Sequence, residues 1–137
     1  MVDGGSSDIS NVYTYRLEPL LKYYGMDAVD VWFVTHGDQD HISGLLEALE
    51  KEVPIGMILF PDVILDASLE KIRMKAEAQG IGVKTFYKGD CVEAEGMKVE
   101  CLYPMMQCCT GNKNGDSMVL SVEMNRKGPG CRMLLTG

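Results

Sequence analysis

From Val29 to Thr35 the chain reads VDVWFVT, a β-branched and aromatic run that is apolar on nearly both faces, as in a covered central strand. Ile42, Leu45, Leu46, Leu49 and Val53 then recur at helical spacing and predict an amphipathic helix of about three turns, with Glu47, Glu50 and Lys51 outside and Pro54 as its stop. Gly56 to Phe60 (GMILF) reads as a second buried strand. Asp66 to Gln79 reads as a second helix, with Asp66 as N-cap, Gly80 just past its end, and an apolar stripe through Leu69, Ile72 and Ala76.

After that the helical period stops. Val83 to Tyr87 and Met97 to Tyr103 are strand candidates separated by a polar turn around Gly89 and Asp90. Ser117 to Met124 alternates, with Met118, Leu120, Val122 and Met124 on one face and Ser121 and Glu123 on the other, and Cys131 to Thr136 is its hairpin partner across Arg126 to Gly130. Near the start, Tyr15 to Tyr24 predicts a short helix with Pro19 in its first turn and Gly25 ending it. An alternating β-α-β-α-β section followed by successive strands predicts a mixed α/β layer structure with helices on one side of a sheet.

Both ends look cut. Only Met1 and Val2 precede the Asp3-Gly4-Gly5 turn, where a strand is expected, and the chain stops at the strand tip Leu134-Leu135-Thr136-Gly137. The expectation is one incomplete domain over residues 1–137, whose unpaired sheet edges favour an artefactual dimer.

Composition narrows the class. With 46% hydrophobic and 24% charged residues the chain fits a globular domain, and no apolar run is long enough to span a bilayer. Its net charge of −7 leaves no basic stripe for holding a phosphate backbone, so any nucleic-acid contact has to be local. The excess is uneven: residues 1–50 carry nine acidic and two basic side chains, whereas residues 51–137 carry eleven of each. Cys91, Cys101, Cys108, Cys109 and Cys131 are odd in number and lack C-x-x-C spacing, so they read as reduced thiols, and Cys108-Cys109 alone makes a poor zinc site.

The chemistry concentrates in Thr35-His36-Gly37-Asp38-Gln39-Asp40-His41, between the buried strand and the first long helix. In an extended segment His36 and Asp38 project to one side and can share a cation. Asp40 and His41, at the turn into the helix, can reach a second cation about 3.5 to 4 Å away, as in two-metal hydrolases. A polar loop with an Asp N-cap and solvated histidines is the plainer reading. Both histidines of the chain lie in this one loop, beside two acids of the acidic third, and that favours metal ligation by His36, Asp38, Asp40 and His41.

The loop resembles the H-x-H-x-D-H signature of the metallo-β-lactamase fold, with Asp38 where the second histidine usually stands. Within that fold the chain is similar to the C-terminal domain of ComEC-type DNA-internalisation competence proteins. The likeness runs through Val2-Asp3-Gly4-Gly5, Glu18-Pro19-Leu20-Leu21-Lys22 with Gly25, Thr35 to Gly44, and Asn114-Gly115-Asp116-Ser117-Met118-Val119-Leu120. The resemblance implies an αββα sandwich, present here as roughly its N-terminal half and the start of the second sheet. It also implies a metal-dependent phosphodiesterase or nuclease acting on DNA, with Asp40 catalytic and a water activated by two divalent ions as nucleophile.

Asp38 adds a hard oxygen donor and a negative charge, which shifts preference from zinc toward manganese or magnesium; manganese is the first choice, with zinc or magnesium as alternatives. Asp3 corresponds to a residue beside the metal loop, where it can orient His36 or simply form an Asx turn. Asn114 and Ser117 fall where relatives of the fold place a third metal-binding histidine, and Lys113 is a candidate phosphate contact. Such relatives carry a bridging Asp directly after Leu-Thr-Gly and a later His, so the fragment itself is expected to be inactive. A larger membrane protein is the implied context, at the outer face of a bacterial cell, while free thiols fit a reducing cytoplasm. Two other functions stay open: a metal-dependent hydrolase of a small phosphorylated or acyl substrate, and a non-catalytic α/β binding module.

Overall fold

The computed structural model describes residues 1–61, 67–94, 96–106, 115–124 and 130–137 of the 137-residue chain. The expected N-cap Asp66, the Cys108-Cys109 pair, Lys113, Asn114 and most of the last hairpin turn lie outside the described residues. Strands β1 (Val29–Phe33), β2 (Ile55–Pro61) and β3 (Gly82–Phe86) form a parallel sheet in that order, connected by α2 (Gln39–Glu50) and α3 (Ala67–Ala78). Strands β4 (Cys91–Ala94), β5 (Met97–Tyr103), β6 (Val119–Met124) and β7 (Cys131–Thr136) form an antiparallel meander. A π-helical turn, Tyr13–Leu17, leads into α1 (Glu18–Tyr23), which has Pro19 in its first turn and is followed by Gly25 at φ +67°.

Two apolar interfaces set the layers. Trp32 and Val34 of the β1 segment face the helices and pack with Ile58, Phe60, Ile42, Leu45, Leu49, Leu69, Ile72 and Ala76. Phe33, Leu59 and Phe86 face the other way, onto Val99, Cys101, Met118, Leu120 and Val122 of the second sheet. The order is therefore helix, sheet, sheet, three of the layers of an αββα sandwich; of the long-helix stripes read from the sequence, Ile42, Leu45, Leu49, Leu69, Ile72 and Ala76 are buried in it, whereas Leu46 and Val53 are half-buried. Each large aliphatic side chain taken fully out of water contributes on the order of 1.5–3 kcal/mol.

The departures from the pattern are local. Strand β4 was hidden in a short, half-polar CVEA segment. Ser121 is buried although it sits at an outward position, and Met124 is exposed at the strand end. Glu47 does not simply face water: its carboxylate accepts hydrogen bonds from the Tyr13 N–H at 2.8 Å and the Thr14 N–H at 3.3 Å. It thereby satisfies amides at the start of the preceding helical turn.

The N-terminal residues extend the parallel sheet and deliver Asp3 to the top of β1. Val2 bridges Phe33 in parallel, the Asp3 N–H donates to Phe33 O at 2.8 Å, and the Phe33 N–H donates to Met1 O at 2.9 Å. Helix α2 crosses this turn in backbone contact, since a Cβ on Gly44 would lie 2.0 Å from Gly4 O and one on Gly5 2.6 Å from the Asp40 carbonyl. Only glycine permits that approach.

Candidate metal centre

β1 ends at Phe33, but the chain stays buried through Val34, Thr35 and His36 before α2 begins. Asp38 is the N-cap residue of α2 and makes no side-chain capping bond, so the plain helix-cap account does not explain it. The first turn of α2 then presents Asp40 and His41.

The four expected ligands come together as two pairs. His36 Nε2 lies 3.7 Å from Asp38 Oδ2, and His41 Nε2 lies 3.8 Å from Asp40 Oδ2. The two imidazoles are adjacent, with ring centroids 3.9 Å apart. Burial, and after it the neighbouring His41, lowers the His36 pKa below its ordinary value, which favours the neutral imidazole that metal ligation requires.

Asp3 holds the loop from behind. Its Oδ1 accepts the Thr35 N–H at 2.8 Å, and its Oδ2 accepts the Thr35 hydroxyl at 2.7 Å and His41 Nδ1 at 2.8 Å. Asp3 therefore meets His41 directly and reaches His36 only through Thr35, whose Oγ1 is 3.1 Å from His36 Nδ1. The carboxylate sits on a left-handed backbone, φ +49°, an unfavourable conformation that Asp tolerates better than most residues.

Donors about 2.0–2.2 Å from a zinc-like or manganese-like ion stand roughly 3–4 Å apart around it. Each His–Asp pair therefore has the spacing of two ligands on one cation. Among the described residues no three His, Cys, Asp or Glu side chains form a metal-holding group.

The second sheet contributes strand ends. The Met118 N–H donates to Thr35 O at 2.9 Å, and the buried Ser117 hydroxyl donates to Gly137 O at 3.2 Å. Gly137 packs so tightly on Thr35 that a Cβ there would lie 2.4 Å from Thr35 Oγ1. Ser117 is thus a packing partner beneath the loop, while Asn114 and Lys113 lie outside the described residues. Sequence spacing assigns Thr35 no role, since its place between both histidines, 3.1 Å from His36 Nδ1 and 3.4 Å from His41 Nδ1, depends on contacts that spacing does not encode. Asp116, likewise buried next to Ser117, carried no sequence signal beyond its place in the resemblance.

Layer order and loop together give a metallo-β-lactamase-like fold, and the chain resembles the ComEC-type competence proteins. The chain is 29% identical over 122 residues to ComE operon protein 3 of Bacillus subtilis (strain 168), a match covering 88% of this chain. The matched stretch spans 15% of the length of that protein. Among solved structures, CmlA, a diiron beta-hydroxylase from Streptomyces venezuelae, aligns with TM-score 0.50 at 16% identity, covering 80% of this chain and 20% of that one. A metallo-beta-lactamase from Hirschia baltica aligns with TM-score 0.44 at 15% identity, covering 87% of this chain and 47% of that one. No protein-family model matches the chain. Among the described residues no helix is long and apolar enough to cross a membrane.

Proposed function

We propose that this chain is the ligand-loop part of a metal-dependent phosphodiesterase, a nuclease-type hydrolase that works in DNA uptake within a larger membrane protein. The observation that carries the reading is the pairing of His36 with Asp38 and of Asp40 with His41, braced from behind by Asp3. His36 and Asp38 would hold one divalent ion and Asp40 and His41 the other, with manganese preferred because Asp38 replaces an imidazole by a hard oxygen donor. When bound, such a pair of ions supplies Lewis acidity and an activated water. Asp40, whose side chain is 55% exposed, is the carboxylate of the set that faces incoming substrate. The ions also offset the acidic N-terminal third, so that a phosphodiester can approach a chain of net charge −7.

The test assays cleavage of single-stranded DNA and of a generic phosphodiester with manganese, using the chain alone and a version extended past Gly137. The extended protein cleaves DNA in a manganese-dependent way and loses roughly a hundredfold or more in rate on Asp40→Asn, whereas the chain alone shows no turnover. An extended protein that cleaves nothing with manganese overturns the hydrolase reading. A preference for the generic ester reassigns the substrate, and absence of any heat on manganese titration leaves a binding module.

A further inference from the structure

We infer that the cavity beneath residues 6–12 is a subsite for the base and sugar of the nucleotide next to the scissile phosphodiester, so that a DNA strand is held outside the metal loop as well as at it. The subsite rests on the hydrolase reading for its purpose, while the cavity and its free polar groups are properties of the metal-free chain.

The segment Ser6-Ser7-Asp8-Ile9-Ser10-Asn11-Val12 joins the Asp3-Gly4-Gly5 turn to the π-helical turn and lies on α2 as a strap tied at both ends. At one end the Ser43 hydroxyl accepts the Ser6 N–H at 2.8 Å and donates to Ser6 O at 3.2 Å. At the other the Glu47 carboxylate accepts the Tyr13 and Thr14 amides. Within the strap the Ser6 hydroxyl accepts the Asp8 and Ile9 N–H groups, both at 3.2 Å. Together with α2 and Lys71 of α3, the strap lines a cavity of about 620 Å³, within the size range of small-molecule sites. Gln39, which separates Asp38 from Asp40 in the chain, is part of the lining, and Ser6 follows the Gly5 that abuts the Asp40 carbonyl, so the cavity starts beside the metal loop.

The polar groups of the lining fall into two sets. The carboxylates are engaged: Asp8 accepts the Ser7 hydroxyl at 3.1 Å, Glu47 holds the two amides, and Glu50 lies 3.2 Å from Lys75 Nζ. The side-chain amides of Gln39 and Asn11, the Ser10 hydroxyl and the Lys71 ammonium have no partner among the described residues. Three carboxylates against Lys71 make the interior a poor place for a phosphate. The neutral groups left over suit a ligand part that is polar but uncharged. A side-chain amide offers a donor and an acceptor side by side, the pair that matches a base edge, and a serine hydroxyl matches a sugar oxygen. Lys71, which is exposed, then meets the phosphate that stays outside.

The test titrates the isotope-labelled, metal-free chain with deoxyadenosine 5′-monophosphate and, separately, with a single-stranded deoxyadenosine tetranucleotide, followed in amide proton–nitrogen spectra. Shifts appear at Ser7 to Asn11 and at the Gln39 side-chain amide, and the tetranucleotide binds more tightly than the monophosphate. Gln39→Ala and Asn11→Gly each weaken tetranucleotide binding roughly 3–10-fold, the effect of one lost hydrogen bond. Glycine is chosen at position 11 because it accepts the φ of +56° there. Lys71→Met weakens binding of the monophosphate more than binding of deoxyadenosine. No shift in the strap at millimolar tetranucleotide overturns the subsite, as do affinities that neither amide variant changes, equal shifts with glucose, or a monophosphate that binds as tightly as the tetranucleotide. Gln39 and Asn11 are both exposed, and either variant alone decides if the other does not fold.

A manganese assay of the protein extended past Gly137 separates the subsite from the hydrolase reading. There Asn11→Gly raises the KM for single-stranded DNA roughly 3–10-fold and lowers the preference for DNA over a generic phosphodiester. DNA cleavage with a KM that neither amide variant moves overturns the subsite and keeps the hydrolase. Tetranucleotide binding at the strap of a protein that cleaves nothing does the reverse.

Discussion

The two sheets meet across one apolar interface but differ on their other faces. The parallel sheet is roofed by α2 and α3, and Trp32, Ile58 and Phe60 are sealed beneath them. The antiparallel sheet has no such roof among the described residues, and β7 leaves Leu134 62% exposed. The candidate centre grows from the roofed sheet, at the tip of β1, where a segment buried on both sides fixes the direction of His36. Among the described residues the open sheet meets Thr35 with strand ends: Met118 bonds its carbonyl, and Gly137, held by Ser117, packs on its side chain. A layer held on both faces can aim side chains, whereas a layer held on one face mainly supports them.

That contrast can be broken by substitution. Trp32→Ala empties the roofed layer and costs about 3–5 kcal/mol in urea unfolding. Gly44→Ala drives a methyl group into Gly4 O and costs up to about 3 kcal/mol, while also displacing the turn that carries Asp3.

Between the sheets, burial pushes the Cys101 thiol up to about 11 from an ordinary value of 9.0. The unfolded thiol ionises first, so this contribution is fully present below pH 9 and is lost as pH rises through 11. By then the loss is roughly 2 kcal/mol, and Cys101→Val removes that alkaline slope in unfolding measured across the same range. Leu134→Ala, on the open face, changes stability by less than about 0.5 kcal/mol. A cost for Leu134→Ala comparable to that of Trp32→Ala would erase the distinction between the layers.

Local periodicity revealed the roofed layer well. Of the helix stripes, Ile42, Leu45, Leu49, Leu69, Ile72 and Ala76 are buried as read and Leu46 and Val53 only partly, because spacing along a helix decides which face meets the core; in the open sheet, β5 and β7 have the expected bounds. Strand β4 was not legible because CVEA is too short to display a period and owes its state to pairing with β5. Glu47 looked like a solvent-facing residue because nothing in its own helix announces amides 34 residues upstream in the chain.

The site divides in the same way. The loop His36 to His41 stood out by composition, but the bond from Asp3 to His41 joins residues 38 positions apart and is created by the parallel placement of residues 1–3 beside β1. Thr35 was hidden for a related reason, since its role depends on two partners brought in by different segments.

Trp32 is the sole tryptophan of the chain and is wholly enclosed under the helices, with its indole Nε1 lacking a hydrogen-bond partner among the described residues. Its intrinsic fluorescence is therefore a single-site reporter of the helix-roofed interior, emitting at the blue end of the indole range. An unfolding curve followed at that wavelength registers the moment solvent enters beneath α2 and α3 and stays silent to fraying of the outer meander, so a far-ultraviolet dichroism curve that departs from it would show the two layers melting separately.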